Sequence, residues 1–379
     1  MSLGQSPLTT AAAEPARLEA LDGLRGFAIF AVVAFHAMFL DPALLGAARP
    51  APTDAYPTVA LLGWCGVDVF FVLSGFLITG ILLRSKGAPG YFRNFYARRA
   101  LRIFPLYYLV VGLLLFALDR PATTGAEKAS YLLYYQNIRY ALVGEGTFDP
   151  ARLITWSLAI EEQFYLVWPT VVWLCSRRAL LRVCVAVVVG AIALRFWLLA
   201  GGLHTTHFLT PCRLDTLAAG ALLALFPAPP RWFGVTCAWL GFGGLLAIAR
   251  QAGNPFPESI PMQRWGLLVA LVFAVGLLTL ARQPGVVAAA FRCAPLRALG
   301  QVSYCVYLVH FLVLDALTRG VLALPDGAKQ AIAGALPPQA IAALLGLLCL
   351  GGSWLVAAIS WRLFEAPILR LKRFFPSGG

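Results

Sequence analysis

Apolar residues fall in runs of about 17–25, the length that crosses a lipid hydrocarbon core, and short polar or basic stretches separate them. The pattern predicts helices over 23–41, 58–83, 103–118, 156–175, 183–201, 211–226, 232–250, 265–281, 301–322 and 337–363. Ten such helices describe an all-α polytopic integral membrane protein. The segment 131–143, "YLLYYQNIRYALV", is too short and aromatic to span and predicts a helix at, or dipping into, the outer interface. Short flanks leave a tail at 1–18, a membrane domain at 19–371 and a second tail at 372–379, with no long linker or internal repeat. The first twenty residues show no basic stretch followed by an apolar core, so the expectation is that no leader is cleaved and the first span directs insertion.

Composition agrees: 60% of residues are hydrophobic and 12% charged, which sets aside an ordinary soluble domain. The net charge of +13 would suggest nucleic acid in a soluble chain. Here its placement matters more, because Lys and Arg concentrate in loops kept on the cytoplasmic side. Connection 84–102 holds Arg84, Lys86, Arg93, Arg98, Arg99 and Arg102; 176–182 holds Arg177, Arg178 and Arg182; the end of the chain adds Arg370, Lys372 and Arg373. The alternate connections carry Asp41, Asp54, Glu127, Glu145, Asp149 and Glu258. Both termini are therefore expected in the cytoplasm, and no nucleic-acid partner is expected. The eight cysteines form no CxxC pair and most sit within apolar runs, which points to neither a disulfide framework nor a metal. His204 and His207 have a weak ligand spacing with no third ligand nearby, so no metal is expected.

Against this background the polar residues inside the apolar runs stand out. In "LDGLRGFAIFAVVAFH", Arg25 and His36 are eleven residues apart, three turns plus about 20°, with a rise of roughly 16 Å. They share a helix face, and Asp22 falls near the same stripe. Such groups face a protein interior or a watery cavity, although Arg25 alone is equally consistent with a side chain reaching the cytoplasmic interface. In "TWSLAIEEQFYLVWP", a Trp156 at the outer interface would put Glu161 about 7 Å inside, near the depth of His36, so that carboxylate and imidazole meet. Glu162 is then expected to be solvated at the membrane edge. "NFYARRALRIFPLYY" aligns Arg98, Arg99 and Arg102 by helical spacing, a geometry suited to phosphate oxygens and equally to an ordinary cytoplasmic basic cluster. Asp68 and Ser74 in the second span, Arg213 and Asp215 in the sixth, and His310 near Tyr307 form a supporting polar network. Arg213 and Asp215 point to different sides of their helix, so each is expected to pair with a neighbouring helix.

In combination, "LDGLRG" followed by His36, "FFVLSGFLI", "RRALRIFPLYY", "WSLAIEEQFYL" and "SYCVYLVH" occur in the order found in the acyltransferase-3 family, which the chain resembles over nearly its whole length. The resemblance implies a multi-pass protein of the bacterial inner membrane. It implies transfer of an acyl group, usually acetyl, from cytoplasmic acyl-CoA to a hydroxyl of a glycan, glycolipid or glycosylated small molecule. Carried onto this sequence, it favours His36 and Glu161 as catalytic and Arg25, Arg99 and Arg102 as binding acetyl-CoA or another acyl-CoA. His36 would then be a general base, or a transient acyl carrier, with Glu161 orienting its ring. Larger family members append a hydrolase-like domain that is not among these residues, so a lipid, a small molecule and polymer units all stay open as acceptor. A transporter or flippase lining a solute path with the same charges is the alternative, and broken helices or inverted repeats would favour it.

Overall fold

The computed structural model describes residues 13–38, 55–118, 123–143 and 149–376, and every regular element among them is helical. The expected tails are thus described only in part, and Asp41, Asp54 and Glu145, with most of the outer connection 42–57, lie outside the described residues. In chain order the helices are α1 (Ala13–Ala37), α2 (Ala55–Leu61), α3 (Gly66–Ser85), α4 (Tyr91–Gly112), α5 (Gly125–Leu132), α6 (Gln136–Val143), α7 (Pro150–Leu153) and α8 (Trp156–Leu174). There follow α9 (Arg177–Ala200), α10 (Thr210–Ala224), α11 (Arg231–Ala252), α12 (Leu267–Ala281), α13 (Val286–Phe291), α14 (Ala294–Gln301), α15 (Ser303–Leu322), α16 (Asp326–Ala335) and α17 (Pro338–Ser360).

Eight helical stretches among the described residues are long and apolar enough to span: Glu19–Ala37, Thr58–Ser85, Tyr91–Ala117, Arg177–Ala200, Arg231–Ala252, Met262–Ala281, Ser303–Leu322 and Pro338–Phe374. The other two expected spans are helices too, but they differ for a physical reason. The run Glu161, Glu162, Gln163 makes α8 more polar, and α10 is only 15 residues long. These two helices carry site or network residues inside the bundle. Around them, α9 and α11 turn outward: Trp197, Trp232 and Trp239 are 70%, 68% and 73% exposed, a distribution suited to lipid rather than water.

Glycine sets the tightest helix crossings. A Cβ on Gly26 would lie 1.9 Å from the carbonyl oxygen of Leu296, so α1 meets α14 backbone to backbone. In the same way a Cβ on Gly75 would lie 1.9 Å from the carbonyl oxygen of Leu217, where α3 crosses α10. The first contact fixes the helix that bears Arg25 and His36; the second fixes the one that bears Asp68 and Ser74.

The segment 131–143 is two short helices around Tyr134, whose φ of 56° breaks them. Gln136 and Asn137 are fully buried. The amide of Gln163 donates to the carbonyl of Tyr134 at 2.7 Å and to Asn137 Oδ1 at 2.9 Å, while Asn137 Nδ2 reaches the Phe208 carbonyl at 2.9 Å. This knot packs the segment against α8 and the start of α10.

Candidate active site

Two cavities lie end to end through the bundle and share Val67 and Tyr307 in their walls. The inner cavity, of about 130 Å³, is lined by Arg25, Arg99, Arg102, Glu161, Glu162, Ser74, Tyr165 and Tyr304 among others. It lies at the end where α1 and α4 begin. Arg25 donates from Nη1 to Asp22 Oδ1 at 2.7 Å, a pair within one turn of helix. The Arg99 guanidinium carbon lies 5.5 Å from the Tyr165 ring centre and 5.9 Å from that of Phe95, close enough for cation–π attraction. Tyr165 is itself held by a short hydrogen bond to Ser74. Arg98, one residue from Arg99, turns away: its Nη1 donates to the carbonyls of Phe375 at 2.9 Å and Lys372 at 3.3 Å, anchoring the end of the chain. Of the three aligned arginines, two therefore enter the cavity.

The outer cavity is larger, about 680 Å³, and its walls are mainly aromatic and aliphatic, with Phe35, Trp64, Trp156, Phe208, Phe256 and Phe311 beside His36. Asp68, Arg213 and His207 also line it, and Asp149, Arg152, Glu258, Asp315 and Arg319 add charge. Arg213 Nη2 donates to Asp68 Oδ1 at 2.6 Å; Asp215 pairs instead with Arg195 Nη1 of α9 at 2.7 Å. As expected from their helical positions, the two residues pair with different neighbouring helices. All four of these side chains are buried. His204 is exposed while His207 is buried beside Trp156, so the two imidazoles occupy unlike surroundings.

Tyr307 forms the partition. Its hydroxyl donates to the Ile154 carbonyl at 2.8 Å and accepts from Ser157 Oγ at 2.7 Å, which ties α15 to the start of α8. The pattern of polar residues does not mark Tyr307 or Ser157 as a partition. The i,i+3 spacing of Tyr307 and His310 was the available signal.

One expected contact is replaced. His310 is a ring-nitrogen partner of His36, with Nδ1 of His36 2.9 Å from Nε2 of His310, and Glu161 lies in the other cavity. The expected depth of Glu161 requires Trp156 at the interface. Residues Asp149–Ile154 in fact line the outer cavity, so α8 begins inside the fold at the level of His36, and Glu161 falls more than a turn beyond it. Glu162 lines the inner cavity beside Glu161 rather than lying at a solvated edge.

The family profile described as an acyltransferase domain matches residues 18–358, which include both cavities. The chain belongs to the acyltransferase-3 family. Among curated relatives, the peptidoglycan O-acetyltransferase OatA of Listeria monocytogenes is 27% identical over 375 residues, covering 92% of this chain and 55% of the relative. The putative peptidoglycan O-acetyltransferase YrhL of Bacillus subtilis is 30% identical over 325 residues, covering 78% and 48%. The O-acetyltransferase OatA of Staphylococcus aureus is 27% identical over 334 residues, covering 79% and 51%. The chain thus spans about half the length of the curated relatives it matches. No solved structure matches it. Membership of this family, with bacterial relatives and eight candidate spans, makes it a multi-pass acyltransferase-family protein of the cytoplasmic membrane.

Proposed function

We propose that the protein is a membrane O-acyltransferase that moves an acetyl group from acyl-CoA, at the cytoplasmic end of the bundle, to a hydroxyl of a glycan. The names of the relatives favour peptidoglycan as the acceptor, with glycolipids and glycosylated small molecules as the narrower alternatives. The observation that carries the reading is the meeting of an arginine-lined cavity and a histidine-bearing cavity at Tyr307 and Val67.

In this reading Arg99, Arg102 and Arg25 hold CoA phosphates with charge-assisted hydrogen bonds. The pantetheine arm passes Tyr307 along the rise of roughly 16 Å between Arg25 and His36. His36 takes the proton from the acceptor hydroxyl as its oxygen adds to the thioester carbonyl. The carbon–sulfur bond then breaks, and the departing CoA thiolate recovers that proton from the imidazolium. Glu161, in the inner cavity with Arg99, balances the arginine charge and leaves the orientation of His36 to another group. Both termini are cytoplasmic in this arrangement, as the positions of Lys and Arg require.

Purified full-length protein in liposomes, supplied with labelled acetyl-CoA and with muropeptides, glycolipids or glycosylated small molecules, tests the assignment. An acetyl ester on one acceptor class supports it. Movement of an unmodified solute without acetyl-CoA consumption would replace it with a transporter.

A further inference from the structure

His36 and His310 touch through ring nitrogens at 2.9 Å, with ring centres 4.9 Å apart and planes 28° from parallel. The second nitrogen of His310, Nδ1, is 2.7 Å from the backbone carbonyl of Tyr307. A carbonyl oxygen only accepts, so this Nδ1 carries the hydrogen. A neutral imidazole has one N–H, which leaves His310 Nε2 as an acceptor. The hydrogen in the contact between the rings therefore belongs to His36 Nδ1, and the lone pair of the His36 ring is on Nε2.

We propose that His310 is a positioning residue that locks His36 in the tautomer whose Nε2 acts as the base. His36 lines the outer cavity, whereas His310 is fully buried and is absent from its lining, so His310 acts through His36. Phe35 and Phe311 flank the His36 ring, with centres 4.9 and 4.7 Å away, and oppose the ring flip that would exchange its nitrogens. When Nε2 takes the acceptor proton, the imidazolium has a ready partner. Its Nδ1 proton can shift to His310 Nε2, where the charge is shared with a ring that still donates to the Tyr307 carbonyl. The shared proton returns to His36 Nδ1 before His36 Nε2 releases the acceptor's proton to the leaving thiolate. No proton is gained or lost over the cycle.

The inference rests on the acyl-transfer reading of this cavity, and its test has a readout independent of turnover. The four histidines of the full-length protein are labelled with nitrogen-15, and the ring signals are assigned in lipid nanodiscs by comparison with His36→Gln and His204→Gln. The expected spectrum has His36 protonated at Nδ1 and bare at Nε2; hydrogen on Nε2 of the neutral ring overturns the proposal even in a protein that transfers acetyl groups. Kinetics supply the second arm. His310→Phe should lower kcat by roughly 10²-fold or more with both KM values little changed. His310→Gln, whose amide oxygen can accept from His36 Nδ1, should recover at least roughly tenfold of that loss. Wild-type kcat in a folded His310→Phe protein also overturns the proposal. Full turnover by His36→Ala likewise overturns it, whereas failure of the acyl-transfer reading appears separately, as wild-type protein that moves solute without consuming acetyl-CoA.

Discussion

The inner and outer cavities are adjacent and chemically opposite. The inner one is small and is defined by three guanidinium groups, two carboxylates and a tyrosine bound to a serine. The outer one has about five times the volume, by the ratio of 680 to 130 Å³, and aromatic walls in which an Asp68–Arg213 ion pair is sunk. Charge recognition needs few residues, and two of the inner arginines come from a single turn of α4. Shape recognition needs many weak contacts, so the outer cavity draws on residues from Val32 to Arg319. A donor with fixed phosphates suits the first and an acceptor of varied form suits the second.

The largest expected effect separates the cavities by function. His36→Ala should reduce acetyl transfer roughly 10²–10⁴-fold, the usual contribution of a general base, while acyl-CoA affinity measured by equilibrium binding stays at the wild-type level. Equal losses in both quantities would merge the two cavities into one binding site.

Next comes the wall of the outer cavity. Arg213→Ala leaves Asp68 buried without its partner, which should destabilise the fold by about 3–5 kcal/mol. Thermal unfolding in detergent measures this, and replacing both partners with Met and Leu should restore much of the loss. A single variant as stable as wild type would mean that water reaches the pair.

The inner cavity should respond to salt. Arg99→Ala and Arg102→Ala each remove charge-assisted hydrogen bonds worth about 1.5–3 kcal/mol, so acyl-CoA should bind roughly ten- to a hundredfold more weakly. The gap from wild type should narrow as salt rises, because screening weakens the wild-type contact first. Unchanged affinity would return these arginines to the general excess of positive charge in the connections between helices.

The smallest effect at neutral pH concerns His207, in the turn between α9 and α10. Burial first, then the nearby Arg213, pushes its imidazole down from the ordinary 6.5 to about 3. Between those values the unfolded chain binds the extra proton, so stability is fully present above about pH 6.5 and declines as the pH falls toward 3. Melting temperatures between pH 7 and 4 should therefore fall more steeply for wild type than for His207→Gln. Parallel curves would show that other groups govern acid sensitivity.

Part of the inner cavity could be read along the chain, because Arg99 and Arg102 stand at a spacing that one helix converts directly into a shared face. The same periodicity misled where depth depended on surroundings. Trp156 reads as an interface residue, yet the short helix Pro150–Leu153 before it folds into the cavity wall and carries the whole of α8 inward. Arg98 shows the converse limit: its spacing resembles that of its neighbours, but the end of the chain claims it.

The sequence by itself determined that the chain is a bundle of apolar helices, which ends of those helices carry the positive charge, that Arg25 and His36 share a face, and that Arg213 and Asp215 seek different partners. Hydrophobic length and the 100° step per residue are local properties, and they suffice for these conclusions. Only the tertiary structure decided that His36 meets His310 across 274 positions of chain, that Glu161 serves the other cavity, and that Tyr307 stands between the two. Helical periodicity states which side of a helix a residue occupies. Which helix lies opposite is settled by the packing of the whole bundle, down to glycines at positions 26 and 75 that let two backbones touch.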